Sequence, residues 1–304
     1  MNAGQTHPLL DALVERIVAD SPMQGRSLPA AVAALESGEA EELEGYLRFC
    51  ASEGWGAERM AQAYITIAND TLREQIYFQR NNRYRHDRFD AVAETVYFDA
   101  DYMARYMYGL ALTLYLWPNH LQIFRHFRGV LAGMRGGSYL EVGPGHGAFF
   151  RQAVLHGGFR DCVGVDISPT SLGMTRRVLE SLWTEAKSFW RLVEADLLAA
   201  AELGGNYDMV VMGEVLEHVE EPGRFLERLR ELAAPGATLY VTTAVNAPAI
   251  DHIYLFRSVA EVEDLARAAG LAVRDVLATP YVGCTMEETV RRGLAINVAL
   301  VLTR

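Results

Sequence analysis

Residues 138–147 read S-Y-L-E-V-G-P-G-H-G, and this stretch decides the fold. Its apolar first half predicts a short strand, and glycine then stands at every second position, at Gly143, Gly145 and Gly147. Glycine has no Cβ, so the chain can turn sharply there and its backbone can approach a ligand closely. We expect the next helix to begin near Ala148, with its free N–H groups facing that ligand.

Glu141 stands at the carboxyl end of this predicted strand, just before the glycines. A carboxylate there would repel a pyrophosphate and would suit a cationic or hydroxyl-bearing ligand. The glycines alone also satisfy the G-x-G-x-x-G/A pattern of NAD sites. The class of ligand therefore has to be decided from the rest of the chain.

Composition excludes several classes of function. The chain has 304 residues, of which 50% are apolar and 22% charged, as in an ordinary globular protein. Its net charge of −11 argues against a nucleic-acid partner or an anionic membrane. The three cysteines, Cys50, Cys162 and Cys284, form no C-x-x-C motif, so we expect no structural zinc and assign no metal ligands. Together with an N-terminus whose apolar residues are interrupted by charges, they predict a cytoplasmic protein.

The pattern of apolar residues divides the chain into two regions. Residues 1–133 show helical spacing, whereas strands alternate with helices in residues 134–304. The predicted strands are 139–142, 162–166, 189–194, 207–212, 238–242, 272–277 and 296–302, and the predicted helices between them are 148–156, 171–182, 222–233 and 259–269. This order predicts a Rossmann-like α/β fold, with a mainly parallel sheet and helices on both faces. Weak helical signal between the last two strands favours an antiparallel pair at one edge.

Three further segments follow predicted strands at the same edge of the sheet as the glycines. Asp166 ends the second strand, where an acid can accept hydrogen bonds from both ribose hydroxyls. Asp196 follows the third strand and could accept from an adenine amino group, while Leu197 packs on the ring. Residues 212–218, M-G-E-V-L-E-H, follow the fourth strand. Four loops in this order favour a nucleoside ligand.

In this order E-V-G-P-G-H-G, G-V-D-I-S, E-A-D-L and G-E-V-L-E-H resemble the motifs of class I S-adenosylmethionine-dependent methyltransferases. The resemblance covers about residue 139 to the C-terminus. It implies a seven-stranded sheet whose last strand is antiparallel, with S-adenosylmethionine as cofactor. The cofactor-binding residues that it implies are Glu141, Gly143, Gly145, Gly147, Asp166, Ile167, Asp196, Leu197, Gly213 and Glu214. By this resemblance Glu141 lies near the methionine amino group, and Gly143 and Gly145 approach the methionine and ribose parts.

Candidate residues for the acceptor site lie outside the glycine loop. The fourth-strand segment is not N-P-P-Y/F, so adenine or glutamine acceptors are not expected. His218 is either a general base or a structural histidine that packs the next helix. The next residue toward the N-terminus, Glu217, we interpret as solvated or paired with an arginine. A long loop of polar and aromatic residues after the fifth strand offers Asn246, His252 and Tyr254.

Two more candidates lie in the helical region. His120 follows Pro118 and Asn119 and is either a cavity residue or a surface residue of a capped helix. Tyr106 belongs to a tyrosine-rich helix that could place an aromatic ring beside the sulfonium, by cation–π attraction, or simply pack against other helices. We expect this region to form a lid over the carboxyl edge of the sheet.

These observations lead to three hypotheses. The first is a methyltransferase that acts on a small metabolite in an enclosed pocket, in secondary metabolism, with pairing of two copies through the helical region. The second keeps the fold but cyclises S-adenosylmethionine itself to azetidine-2-carboxylate and methylthioadenosine. The third is a non-catalytic S-adenosylmethionine-binding module. The sequence does not name the acceptor.

Overall fold

The computed structural model describes residues 6–181 and 189–304, and seven strands in this part form one sheet. They are β1 (Ser138–Val142), β2 (Asp161–Asp166), β3 (Phe189–Glu194), β4 (Tyr207–Gly213), β5 (Ala233–Val245), β6 (Ala272–Thr279) and β7 (Ile296–Thr303). Their order is β3-β2-β1-β4-β5-β7-β6. Strand β7 runs antiparallel to both of its neighbours, whereas the pairs among β1 to β5 are parallel. The predicted Rossmann-like sheet and its antiparallel last strand are confirmed.

Helices precede the sheet and then connect its strands. The first group is α1 (Pro8–Asp20), α2 (Leu28–Ala33), α3 (Ser37–Ser52), α4 (Ala57–Asn81), α5 (Asp90–Val92), α6 (Ala100–Leu116) and α7 (Pro118–Ala132). The second group is α8 (Ala148–His156), α9 (Pro169–Ser181), α10 (Pro222–Leu232), α11 (Val259–Ala268) and α12 (Met286–Arg291). Leu182, the last residue of one predicted helix, and residues 1–5 of the predicted helical region lie outside the described residues.

Local signals explain where several of these helices begin and end. In the capping box of α3, the Glu39 carboxylate accepts from the backbone N–H of Glu36 at 2.9 Å. At α6, the Asp99 side chain accepts from the N–H of Tyr102 at 2.9 Å. Helix α4 ends at Asn82, which takes the left-handed conformation at φ 52°. These caps satisfy backbone groups that a helix end would otherwise leave unpaired.

The central strands of the sheet are buried on both faces. Neighbouring residues of β1, Tyr139 and Leu140, are both fully buried, yet they belong to two different hydrophobic cores. One core joins the sheet to the N-terminal helices through side chains such as Tyr64 and Phe127. A sheet covered on both sides is what parallel β-strands require, and it explains their nearly continuous apolar sequence.

The helical region packs on the sheet of the same chain. The backbone N–H of Ala247 donates to the Tyr84 hydroxyl at 3.1 Å, and the Arg257 guanidinium donates to the Asn82 side chain at 2.7 Å. Helix α7 contacts both β6 and β7. The boundary expected after residue 133 falls between α7 and β1, but the hydrophobic core is continuous across it.

Strand order reverses between β1 and β4, which are neighbours in the sheet although two strands separate them in sequence. In open α/β sheets, ligands bind beyond the carboxyl ends of the strands at such a point. This places the glycine loop after β1 and the segment after β4 side by side. Among the described residues, no helix combines the length and the apolar character needed to cross a bilayer.

Candidate active site

A cavity of about 1340 Å³ lies at the carboxyl ends of β1 and β4. The loops after the strands line one side, and α4 and α6 line the other. Nine of the ten residues predicted to bind the cofactor line this cavity: Glu141, Gly143, Gly145, Asp166, Ile167, Asp196, Leu197, Gly213 and Glu214. The structure therefore brings together segments that lie far apart in the sequence.

The tenth residue, Gly147, shapes the loop without lining the cavity. It caps α8 in the left-handed conformation at φ 79°, and a Cβ there would lie 3.1 Å from the Cα of Thr175. The Thr175 hydroxyl donates to the carbonyl of Gly145 at 3.0 Å, which fixes the loop from behind. At Gly143, where φ is 67°, a Cβ would lie 2.9 Å from the Val215 side chain. Both positions therefore require glycine.

Glu141 is buried, with 3% of its surface exposed, and it accepts a hydrogen bond from the Tyr139 hydroxyl. Burial raises the pKa of its carboxyl to about 8, because the charged form loses its hydration. A cationic group in the cavity would favour the carboxylate. This electrostatic situation suits an ammonium group and disfavours a phosphate.

Asp166 and Asp196, the two acidic residues expected to bind a nucleoside, lie in different environments. Asp166 ends β2, lines the cavity and accepts from the Ser168 N–H at 2.9 Å. Burial raises the pKa of its carboxyl to about 6. Asp196 is exposed and accepts from the Leu198 N–H at 2.9 Å, while Leu197 between them is buried. A polar edge beside an apolar surface suits an adenine ring.

A buried carboxylate, Asp251, organises a second group of polar residues that line the cavity. It accepts from the hydroxyls of Tyr97 and Tyr106 at 3.1 and 3.0 Å, and only 1% of its surface is exposed. The Nδ1 atom of His218 lies 3.1 Å from the Asp251 carbonyl and 3.4 Å from its carboxylate. Since a carbonyl can only accept, Nδ1 of His218 carries the proton. Asp251 thus fixes the ring of His218.

His252 lies next to His218, with the two ring centroids 4.8 Å apart and the ring planes nearly perpendicular. Its Nδ1 donates to the Ala247 carbonyl at 2.6 Å, which leaves a lone pair on Nε2. Burial, and then the nearby His218, lower the pKa of this imidazole to about 4. His252 is therefore neutral at physiological pH.

Glu217 is fully buried, so the expectation that it is solvated or paired with an arginine is wrong. Its Oε2 atom accepts from the Thr243 hydroxyl of β5 at 2.6 Å. Its Oε1 atom has no hydrogen-bond partner among the residues that the structure describes. Burial, and then the negative charge of Glu214, raise the pKa of its carboxyl well above the usual range. The side chain of Glu217 is therefore fixed by its hydrogen bond to β5 and is not solvated.

The remaining candidates divide between the cavity and the packing around it. His120 lines the cavity and donates from Nδ1 to the Thr113 hydroxyl at 3.1 Å, and burial lowers its pKa to about 4. Asn246 directly follows β5 at φ 48° and donates from its side chain to the Arg257 carbonyl. Tyr254 packs against Phe256 in the other core. Asn246 and Tyr254 do not line the cavity, so the geometry gives no support to a catalytic role for either.

Two residues of this group were not identified from the sequence. Asp251 stands directly before His252, and this adjacent acid was an available signal. Tyr97 lies in a π-helical turn, Ala93–Tyr97, between α5 and α6. Nothing in its local sequence predicts its approach to a residue after β5.

Comparison with known proteins identifies the class of protein that this fold and site define. Residues 121–276 match the family described as Methyltransferase domain, which is about half of the chain, so the chain belongs to this family. The family is that of the class I S-adenosylmethionine-dependent methyltransferases, whose cofactor is S-adenosylmethionine.

Relatives of known name share part of the chain. A ubiquinone biosynthesis O-methyltransferase of Bordetella avium (strain 197N) is 32% identical over 131 residues, which are 43% of this chain and 51% of that protein. The chain thus spans about half the length of this relative. A protein of the same name from Paraburkholderia xenovorans (strain LB400) is 27% identical over 57% of this chain and 81% of that protein.

Solved structures show the same fold at lower identity. A chain of the complex between the Haloferax volcanii Trm112 methyltransferase activator and a methyltransferase aligns with a TM-score of 0.52 and 17% identity, over 69% of this chain and 98% of that one. Haemonchus contortus phosphoethanolamine N-methyltransferase 2 in complex with S-adenosyl-L-methionine aligns with a TM-score of 0.50 and 13% identity. The alignment covers 71% of this chain and 60% of that one.

Replacing Asp166 with alanine is expected to weaken the binding of S-adenosylmethionine. Loss of one or two charge-assisted hydrogen bonds to the ribose costs about 1.5–3 kcal/mol, which raises Kd roughly 10- to 150-fold. Isothermal titration calorimetry measures this change. Asp161→Ala, at the exposed other end of the same strand, is the matched control and should bind as the wild type does. An unchanged affinity for Asp166→Ala would refute the ribose role.

The affinity for S-adenosylmethionine is expected to rise with pH below about 8. The Glu141 pKa is raised to about 8 in the free protein, and the ammonium group of the cofactor would lower it in the complex. Binding then releases a proton, so Kd should fall roughly five- to tenfold between about pH 6.5 and 7.5. Titrations at several pH values test this, and Glu141→Gln should remove the pH dependence. A flat profile in the wild type would mean that Glu141 does not meet the ammonium.

Proposed function

We propose that the chain is an O-methyltransferase that acts on a small hydroxylated metabolite bound in the cavity beside S-adenosylmethionine. The observation that carries this proposal is the pair His218 and His252. Both line the same cavity as the cofactor residues, and both hold the Nδ1 proton against a carbonyl. Their Nε2 lone pairs are thus free to act on an acceptor hydroxyl.

A hydroxyl acceptor explains why two neighbouring imidazoles with free Nε2 lone pairs line the cavity. The sulfonium is already a strong electrophile, so the enzyme mainly aligns the nucleophile with the S–CH₃ bond. A neutral hydroxyl is a weak nucleophile until it loses its proton, and a positioned base contributes typically 10²- to 10⁴-fold. The acceptor oxygen then bonds to the methyl carbon, the S–CH₃ bond breaks, and S-adenosylhomocysteine leaves. The names of the relatives, which are O-methyltransferases, also favour an oxygen acceptor.

The size and lining of the cavity favour a small acceptor. Its volume of about 1340 Å³ exceeds the roughly 300–1,000 Å³ of a site for one ligand, so the cofactor and a small acceptor can be bound together. Residues of α4 and α6, among them Ile67, Met107 and Leu110, face the cofactor loops across it. A helical wall of this kind supports an enclosed site that keeps water away from the sulfonium, as expected for a small metabolite.

Mass spectrometry of the nucleoside product tests the proposal. The purified chain is incubated with S-adenosylmethionine alone, and then with a panel of phenols, catechols, hydroxy acids and amines. S-adenosylhomocysteine together with a methyl ether supports the proposal. Methylthioadenosine together with azetidine-2-carboxylate, formed without any acceptor, would instead support the cyclisation hypothesis. A methylated amine would show that the acceptor atom is nitrogen and not oxygen. Cofactor binding without turnover on the panel or on a metabolite extract would favour a non-catalytic module.

Three expectations about partners and place accompany this proposal. The net charge of −11 supports the absence of a nucleic-acid partner. A cytoplasmic location and pairing of two copies through the helical region stay predictions from the sequence. Sedimentation of the purified chain at several concentrations tests the pairing.

A further inference from the structure

We propose that Glu217, His218 and His252 bind a divalent transition-metal cation, such as Mn²⁺, Co²⁺ or Zn²⁺, in the wall of the cavity. One carboxylate oxygen and one nitrogen from each imidazole lie within 4.8 Å of one another. The cation would in turn bind the acceptor hydroxyl. This proposal deepens the proposed function and rests on it for that last step only.

The spacing of the three ligand atoms is close to what a cation needs. Nitrogen and oxygen ligands bind these ions at about 2.0–2.2 Å, so two ligands of one ion lie roughly 3–4 Å apart. From separations of at most 4.8 Å, side-chain movements of about 1 Å or less would complete the site. Two imidazoles and one carboxylate also leave open coordination positions for a substrate.

Both histidines are oriented as metal-binding histidines are. A metal-bound histidine almost always donates its other ring N–H to a carbonyl or a carboxylate, which fixes the ring. The Nδ1 of His252 donates to the Ala247 carbonyl at 2.6 Å, and the Nδ1 of His218 to the Asp251 carbonyl at 3.1 Å. The hydroxyls of Tyr97 and Tyr106 hold Asp251 in turn. Each Nε2 atom therefore keeps a free lone pair that can bind a metal ion.

Glu217 supplies an independent observation that a ligand is missing. Its side chain is fully buried, and within the described part of the chain no N–H or hydroxyl group donates to its Oε1 atom; the neighbouring group is the Glu214 carboxyl, which can donate only when it is protonated. A buried acceptor without a partner is costly, and native structures contain few of them. A cation on Oε1 would satisfy this atom while Thr243 continues to bind Oε2.

Glu214 adds negative charge beside the three ligands. It lines the cavity at φ 51°, a left-handed conformation that is unusual outside glycine and asparagine and that clusters at functional sites. Its side chain is exposed toward the cavity, whereas that of Glu217 is buried. A divalent cation bound by the three ligands would offset the repulsion between the two carboxylates.

The cation would change how the acceptor loses its proton. A bound metal ion lowers the pKa of a coordinated hydroxyl, so the oxygen can reach the nucleophilic form near neutral pH. Acceptors with two adjacent oxygens, such as catechols, could occupy two of the open positions of a six-coordinate ion. His218 and His252 then act on the acceptor hydroxyl through the cation that they bind, in place of accepting its proton directly, and the proton passes to Glu214 or to solvent. The acceptor oxygen attacks the methyl carbon, and S-adenosylhomocysteine leaves as before.

Cobalt binding to the full chain tests the site without any acceptor. Chelator-treated protein is titrated with Co²⁺ and followed by visible absorption and calorimetry. We expect one high-affinity Co²⁺ per chain, with an absorption spectrum typical of nitrogen ligation. Glu217→Gln and His252→Gln should each weaken binding at least tenfold. His126→Asn is the matched control, because that histidine lies on α7, bonds to Asp275 and does not line the cavity.

Two results would overturn the site. One is the absence of stoichiometric Co²⁺ binding by the wild-type chain, which depends on no variant and on no folding control. The other is a loss in His126→Asn as large as in His252→Gln. Circular dichroism and S-adenosylmethionine affinity confirm that each variant is folded before its Co²⁺ affinity is compared. If one of these variants does not fold, a substitution at another of the three proposed ligands takes its place.

The outcome is distinguishable from failure of the proposed function. Stoichiometric Co²⁺ binding with no methylated hydroxyl on any acceptor would support the metal site and count against the O-methyltransferase. Methyl-ether formation that persists unchanged after chelation, in protein that binds no Co²⁺, would support the transferase and overturn the metal site. Activity that is lost on chelation and restored by Mn²⁺ or Co²⁺ would support both.

Discussion

Asp251→Asn is expected to lower kcat/KM for the acceptor about 10- to 100-fold, with little change in S-adenosylmethionine affinity. The carboxylate accepts from two tyrosine hydroxyls, of Tyr97 and Tyr106, and lies 3.4 Å from Nδ1 of His218. An asparagine has the same shape but offers one oxygen acceptor and one NH₂ donor. The NH₂ group would then face one of these three donors, and the resulting shift of residue 251 would weaken the hold of its backbone carbonyl on the ring of His218.

Steady-state kinetics with an acceptor from the product screen, together with calorimetry for S-adenosylmethionine, check this result. Asp264→Asn is the control, because Asp264 is an exposed residue of α11 that pairs with Arg267. A buried site also calls for a thermal denaturation curve, so that unfolded protein is not counted as inactive enzyme. If the folded Asp251→Asn variant turned over at the wild-type rate, Asp251 would not position His218 for the reaction.

The cofactor half of the site was predictable because each of its parts is local in sequence. A strand, a turn and the acid at the strand end lie within a few residues, and the parallel sheet then brings all strand ends to one edge. Glu141, Asp166 and Asp196 therefore reached the cavity as expected. Gly147 did not line it, because its positive φ serves the start of α8 and Thr175 fills the space that a Cβ at this position would occupy.

The acceptor half depends on the path of one long loop, which periodicity does not determine. The backbone N–H groups of Ile253 and Tyr254 donate to the Glu217 carbonyl at 2.8 and 3.0 Å. These bonds place His252 in the cavity wall, while the side chain of Tyr254 packs in the other core. Residues two positions apart in sequence thus serve different functions.

The burial of Glu217 could not be predicted from the sequence, for a general reason. Glutamate is almost never fully buried unless it has a partner, so an exposed position was the natural expectation. Its partner is Thr243 of β5, and the contact exists only once β4 and β5 are paired. A carboxylate that is buried by sheet formation cannot be recognised from the residues next to it.

Gly109→Val is expected to lower the free energy of unfolding by about 3 kcal/mol or more, the largest effect on stability that we predict. Gly109 lies inside α6, where α6 crosses α4. A Cβ at this position would lie 2.5 Å from the Ile67 side chain and 2.7 Å from the backbone carbonyl oxygen of Ala63. The carbonyl oxygen cannot move unless the two helices separate.

Separation of α4 and α6 would also reach the active site, since Ile67, Tyr106 and Met107 of these helices line the cavity. Urea denaturation measures the stability of Gly109→Val, and calorimetry measures S-adenosylmethionine binding in the folded variant. Gly45→Ala is the matched control: it lies inside α3 with no atom within 4 Å of the added Cβ. Because alanine favours helix more than glycine does, this control should be stabilised by about 0.5–1 kcal/mol. A Gly109→Val variant as stable as the wild type would show that the two helices can separate at little cost, and that the wall they form is not rigid.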